Sequence, residues 1–361
     1  MSDIHAIGAA AWSGLNPSAR LDRSHRYLCF RDEVEPGASV VATVDDPSGL
    51  CGAACGALTT AASGLFSHPW KLLCGEQFLR AQPHEQGPRE QQAALVRAIA
   101  PGADRRGGLA GALGDRVGEA LVVRPFDSSE LVMRPDLSGE RRAEVAGCLV
   151  AQLQDRAAAG LAGAVAFPYV HPADHLLRAT LAGRGFRPRR ITATSVIELP
   201  PVGSYEELIA SFSKSLRRLF LKEERALADA GLTVTTVPLA ANLRRVCELE
   251  AQTASAHGGT PDLGGLVQLR TRMLEWLGAA IRVPAALAGG GIVACGIDVT
   301  DADDYYGLVY GCDYSVPERS TAYMCLTFYE PIRYCIARGL GRLRLGFEAF
   351  APSATFAKSG R

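Results

Sequence analysis

Apolar residues recur at helical spacing along 138–157, where Val145, Leu149, Val150, Leu153 and Ala157 share one face and Ser138 ahead of them is a helix-capping residue type. Gly160 or Gly163 ends that helix. Upstream, Ser39 to Val44, Gly52 to Thr60 and Glu119 to Arg124 read as strands, the second rich in small residues that suit a crowded sheet. Residues 82–92 and 101–118, rich in Pro, Gly, Arg and Gln, read as surface loops or short helices. Downstream, Ala164 to Phe167 reads as a short buried strand, Pro172 opens a helix through Leu181, and Ile191 to Leu199 alternates as a strand does.

Pro200, Pro201 and Gly203 then break the pattern and mark the expected boundary between a domain 1–199 and a domain 200–361. A comparable order of elements follows. Tyr205 to Ala230 reads as one helix closed by Gly231, Thr233 to Val237 as a strand, and 242–255 and 263–281 as helices. Gly291 to Val299 and Asp304 to Gly311 flank the turn Asp301-Ala302-Asp303 and read as a hairpin. Glu318 to Arg338 is a helix kinked at Pro331 and closed by Gly339, and Leu343 to Phe347 is a final strand. The expected class is α+β, each half a mixed sheet flanked by helices.

Composition narrows the partners. At 361 residues the chain is about twice the usual domain size, and its 48% apolar and 21% charged residues suit packed globular cores. Lys plus Arg and Asp plus Glu both total 38, so an electrostatic partner must be met by a local patch. No stretch approaches the ~20 apolar residues of a membrane span, and no cationic start precedes an apolar run, so a cytoplasmic protein without a membrane partner is expected. The ten cysteines sit mostly in apolar runs, as buried free thiols do. Cys51 and Cys55 lack a second ligand pair; His171 and His175 flank Pro172 without an evident third ligand, and His171 reads as a helix cap. No metal is expected.

The sharpest local patch lies on the helix from Tyr205. Lys214, Arg217, Arg218, Lys222 and Arg225 fall within about 140° of its wheel, opposite Leu208, Phe212, Leu216, Leu219 and Leu227. Such a row suits a phosphate-bearing partner; the plain alternative is a solvated face, partly offset by Glu223 and Glu224.

The same stretch, Ser211-Phe-Ser-Lys-Ser-Leu-Arg-Arg-Leu-Phe-Leu-Lys-Glu-Glu-Arg with Ala230-Gly-Leu after it, resembles the segment that opens the second half of Fem-like proteins. Phe328-Tyr-Glu-Pro-Ile-Arg-Tyr-Cys-Ile-Ala-Arg-Gly-Leu with the strand after it, and the tail Phe356-Ala-Lys-Ser-Gly, resemble that family's closing passages. The resemblance implies two tandem acetyltransferase-like (GNAT) domains and transfer of an aminoacyl group from aminoacyl-tRNA to an amine, with no separate cofactor. It implies that Lys358 stabilises charge at the reacting ester, and that Arg217 and Arg218 lie where peptidoglycan-directed members hold acceptor phosphates. Lys214, Lys222 and Arg225 would then meet tRNA phosphates. Ala357 departs from the pattern: the tail aromatic, Phe356, stands one position early. No sustained heptads mark a coiled-coil arm, which points to a small-molecule amine as acceptor, as in natural-product biosynthesis.

Other readings stay open beside it. An acyl-CoA donor such as acetyl-CoA would need a Gln/Arg-x-x-Gly-x-Gly/Ala turn after a strand; Arg105-Arg-Gly-Gly-Leu-Ala110 fits the letters but precedes a strand, and 314–323 lacks the pattern. Gly289-Gly-Gly291 reads as a tight turn. His257, in a loop between helices, is a candidate acceptor contact or base, and the plain alternative is an exposed loop residue. Asp298, Tyr306, Tyr310 and Tyr323 fall on central strands and the adjoining helix, with Tyr306 and Tyr310 as candidate substrate contacts. Glu348 is placed to orient an acceptor amine, although the substrate itself can relay the proton. A tandem fold that binds tRNA or a protein without turnover is the remaining alternative.

Overall fold

A computed structural model describes residues 4–16, 20–35, 39–60, 68–69, 119–123, 129–188, 194–316 and 319–346. The chain divides into two units, 1–17 with 22–193, and 18–21 with 194–361.

The first unit begins with two helices that the sequence pattern did not reveal, α1 (Ala9–Leu15) and α2 (His25–Val34). Ser24 caps α2 by accepting the Tyr27 N–H, and Trp12 is buried with its indole N–H on the Arg23 carbonyl at 2.7 Å. Strands β1 (Ser39–Asp46) and β2 (Gly49–Thr59) pair antiparallel, β3 (Ala120–Val123) and the short β4 (Val132–Met133) also pair with β2, and β5 (Ala164–Ala166) runs parallel to β3. The parallel pair needs a crossover. Helix α3 (Gly139–Arg156) supplies it, capped by Ser138 as expected, with Val145, Leu149, Val150 and Leu153 wholly buried on β1 to β3. A side chain on Gly52 would strike Val145, which is why β2 is built of small residues. A wide π-type turn at Ala157–Leu161 ends α3, with Gly160 at φ +93°.

Helix α4 (His175–Gly183) starts three residues later than Pro172 suggests. Its cap is Asp174, which accepts the Leu177 N–H; His171 instead accepts the Ala173 N–H within the preceding turn. β5 is half-buried, not buried.

Strand β6 (Val196–Glu198) changes sides. Expected as the last strand of the first half, it pairs antiparallel with a strand near the end of the chain and so belongs to the second unit, which begins at Thr194. The expected helix 205–230 is two helices, α5 (Tyr205–Ser211) and α6 (Lys214–Asp229). Phe212 is extended and buried between them, and Ser213 accepts the Leu216 N–H to cap α6. Then follow β7 (Thr233–Thr236), α7 (Leu239–Ala256), α8 (Leu263–Leu277), β8 (Ile281–Arg282), β9 (Pro284–Ala288), β10 (Gly291–Thr300) and β11 (Asp304–Cys312). The break in the last helix lies before Pro331: α9 (Arg319–Met324) meets α10 (Glu330–Arg338) through a π-type turn at Cys325–Tyr329, and Pro331 sits in the first turn of α10, where its missing N–H costs nothing. Strand β12 (Arg342–Arg344) closes the described part.

The second sheet runs β6-β12-β11-β10-β9-β7, with β8 also on β10, and β11 and β12 form a parallel pair joined through α9 and α10. One face packs under α5, α6, α9 and α10 around Phe220, Tyr305, Phe328 and Tyr329; the other meets α7, and α8 packs on α7. Gly311 allows that second contact, because a Cβ there would lie 2.6 Å from the Glu250 backbone nitrogen of α7. Arg270 of α8 holds α7 through a buried two-pronged ion pair to Glu250 at 2.6 and 3.1 Å. Among the described residues, no helix is long and apolar enough to cross a membrane.

Candidate active site of the second unit

Helix α6 turns Glu223 and Glu224 inward. Glu223 accepts the Tyr329 hydroxyl, and Glu224 pairs with Arg333 and accepts the Tyr205 hydroxyl at 3.3 Å. The guanidinium of Arg333 lies over the Tyr205 ring, 4.2 Å from its centroid. Expected to offset the cationic row, these glutamates are instead spent on α5, α10 and the turn that leads into α10. Lys214, Arg218, Lys222 and Arg225 stay exposed, while Arg217 is half-buried with its guanidinium on the Ala210 carbonyl. Leu219, expected on the packed side, is 43% exposed; Phe220 takes the buried place because the packed arc centres on Leu216, Phe220 and Leu227.

Strand β11 is only partly covered by β12. Their pairing is limited to Asp304–Tyr306 against Arg342–Arg344, and residues 307–312 have no strand partner on that side among the described residues. On its other side β11 is bulged: Asp298 faces Gly307 and Ile297 faces Val309, which leaves Leu308 as the extra residue. Asp298 accepts the Leu308 N–H and, at 2.5 Å, the Tyr305 hydroxyl. Burial pushes its carboxyl up to about 7 against the pull of those bonds and of Arg282. The same burial raises the Tyr305 phenol well above its usual range.

Tyr310 is half-buried on this stretch beyond the β12 pairing and meets Tyr323 of α9 edge-on at 5.1 Å. Burial raises both phenols. Beyond β11, Asp313 accepts the Ser315 N–H and hydroxyl, which hold its carboxyl low, and Arg245 of α7 ties it to the Ile292 carbonyl. The exposed His257 at the end of α7 meets the Tyr314 hydroxyl at 3.3 Å. Tyr306 lies elsewhere. It is buried on the opposite face, its hydroxyl donating to Asp301 at 2.9 Å beside Asp304, which in turn accepts both Arg342 and Arg344. Glu348, Phe356, Lys358 and the Arg105–Ala110 stretch lie outside the described residues.

The family whose model matches the chain is FemAB_like, described as peptidoglycan biosynthesis/recognition, and the match covers residues 124–349, more than half the chain. The chain belongs to the FemAB-like family. Comparison with curated proteins gave no significant match. The crystal structure of FemX is similar with a TM-score of 0.55 at 10% identity, covering 95% of this chain and 88% of that one. A conserved protein of unknown function from Bacteroides thetaiotaomicron VPI-5482 has a TM-score of 0.52 at 11% identity, covering 98% and 93%. A tandem GNAT protein from the clavulanic acid biosynthesis pathway has a TM-score of 0.47 at 13% identity, covering 97% and 88%.

The FemAB-like chain is α+β with two GNAT-like units. In each, antiparallel strands lead into a strand, a helical crossover and a second strand parallel to the first: β3, α3, β5, then β11, α9 with α10, β12. Of the candidate residues, this FemAB-like unit brings Tyr310 beside Tyr323 and His257 beside Tyr314, and sets the α6 cations on one outer face. It spends Tyr306 on the β10–β11 turn. The pattern sets Asp298 on a central strand, and a lone acid between Ile297 and Val299 signals a bonded group; its partners Tyr305 and Leu308 are brought to it by the bulge, which local pattern does not show. Among the described residues, no three His, Cys, Asp or Glu side chains are grouped to hold a metal. The described cysteines are free, Cys148 exposed, Cys55 half-buried and the others buried.

Proposed function

We propose that this FemAB-like protein transfers an aminoacyl group from aminoacyl-tRNA to a nitrogen of a small-molecule acceptor, forming an amide. The observation that carries the reading is the outer face of α6, where Lys214, Arg218, Lys222 and Arg225 are exposed while Glu223 and Glu224 are committed to the interior. A one-sided cationic face on a chain of zero net charge favours a phosphate-rich co-substrate over a neutral one. Family membership and the FemX-like fold support the same choice.

In the reaction, the acceptor nitrogen attacks the ester carbonyl and the ribose hydroxyl leaves. Charge grows on the carbonyl oxygen, and Lys358 is the cation that meets it. Arg217 and Arg218 hold phosphate on the acceptor side; Lys214, Lys222 and Arg225 hold tRNA phosphates. Tyr310, His257, Phe356 and Glu348 contact and orient the acceptor amine.

The test is a transfer assay with a charged-tRNA pool, the same pool treated with RNase, and acetyl-CoA, over a panel of amines with mass-spectrometric readout. Product that requires intact tRNA is expected. Product with acetyl-CoA alone would overturn the donor, and none from either would leave a binding role.

A further inference from the structure

The Asp298 carboxylate is a costly group to bury. Among the described residues no side chain forms an ion pair with it: the nearby Arg282 is spent on the Thr236 hydroxyl at 2.9 Å and on the face of Tyr334, 3.6 Å from the ring centroid. Burying a carboxylate without an ion partner is unfavourable, so a bulge held only for its shape would be served as well by a neutral amide. The carboxylate also lies beside the stretch of β11 that has no strand partner on the β12 side among the described residues. A Cβ on the half-buried Gly307 would sit 3.5 Å from Leu345 Cδ2, 3.7 Å from the Arg344 carbonyl oxygen and 3.9 Å from Asp298 Oδ1, all ordinary contacts. The missing side chain therefore leaves room for about one methyl group next to Oδ1, while Oδ2 takes the Tyr305 hydroxyl.

We propose that Asp298 is the proton acceptor of the transfer reaction, reached by the attacking amine through the space beside Gly307. This rests on the transfer reading above. As the C–N bond forms, one N–H proton passes to Asp298 Oδ1; as the C–O ester bond breaks, the same proton, or one from water, completes the leaving ribose hydroxyl. Tyr305 and the Leu308 N–H hold the carboxylate in place.

Among the described groups with a resolved shift around it, Asp298 is the one brought near neutrality. Burial pushes Cys295 and Cys335 up to about 12 and raises the Tyr305 phenol well above its usual range. Activity should therefore rise with pH through about 7 as Asp298 gives up its proton.

Two variants test this under the conditions where the wild type turns over. Asp298→Asn preserves shape and is expected to lower kcat about 100-fold or more and to abolish the rise near neutral pH, with the KM for charged tRNA unchanged. Gly307→Ala fills the space without a clash and is expected to lower kcat/KM for the acceptor about 10-fold at an unaltered thermal midpoint. If Asp298→Asn fails to fold, Gly307→Ala and the wild-type pH profile decide. An active wild type whose variants keep both rate and pH profile overturns the inference and leaves the transfer reading standing. A wild type inert with both donors overturns the two together.

Discussion

Phe220 of α6 stacks on Tyr329 at a centroid distance of 4.6 Å, and the Tyr329 hydroxyl donates to Glu223 one turn further along the same helix. This pair docks α6 and decides which way its cations point. Phe220→Ala should cost about 3–5 kcal/mol, the usual range for an aromatic removed from a packed core, read as a lower urea midpoint at an unchanged slope. A loss below about 1 kcal/mol would mean that Glu224 and Arg333 hold the helix by themselves.

The exposed row predicts a salt effect. If Lys214 and Lys222 each neutralise a tRNA phosphate, changing both to Ala should reduce the slope of log K against log salt by roughly two units, about one per lost contact. An identical slope in the double variant would return the row to a solvated face.

Lys358 carries a prediction about rate alone. Lys358→Ala should lower turnover by about 100-fold, the scale of losing one group that stabilises an oxyanion, with the thermal midpoint unchanged. Wild-type turnover in this variant removes Lys358 from the mechanism.

Asp298 also links stability to pH. Its carboxyl titrates at about 7 in the fold against 3.8 as an ordinary side chain, so between these values the folded protein binds more protons than the unfolded one. Stability from this group is full below about 4, falls as pH rises, and is gone above about 7. Asp298→Asn should remove that decline, on the order of a few kcal/mol, from a series of unfolding curves between pH 4 and 8. Parallel curves for the two proteins would show that the carboxyl titrates normally.

The local pattern of residues by itself determined much of the fold. Ser138 and the Val145 to Leu153 stripe specify α3, the Asp301 turn specifies the β10–β11 hairpin, and Gly339 in the left-handed region at φ +70° ends α10, because capping and periodicity act within a few residues. The basic row on α6 was legible for the same reason. Tertiary structure decided what depends on partners distant in sequence. β6 joined the second sheet because its partner is β12, nearly 150 residues on, and Glu223 and Glu224 left the outer face because Tyr329 and Arg333 receive them. Tyr306 and Tyr310, alike in sequence, went to opposite faces. Leu308 is one residue too many against β10, and with a side-chain period of two a single extra residue reverses every side chain beyond it.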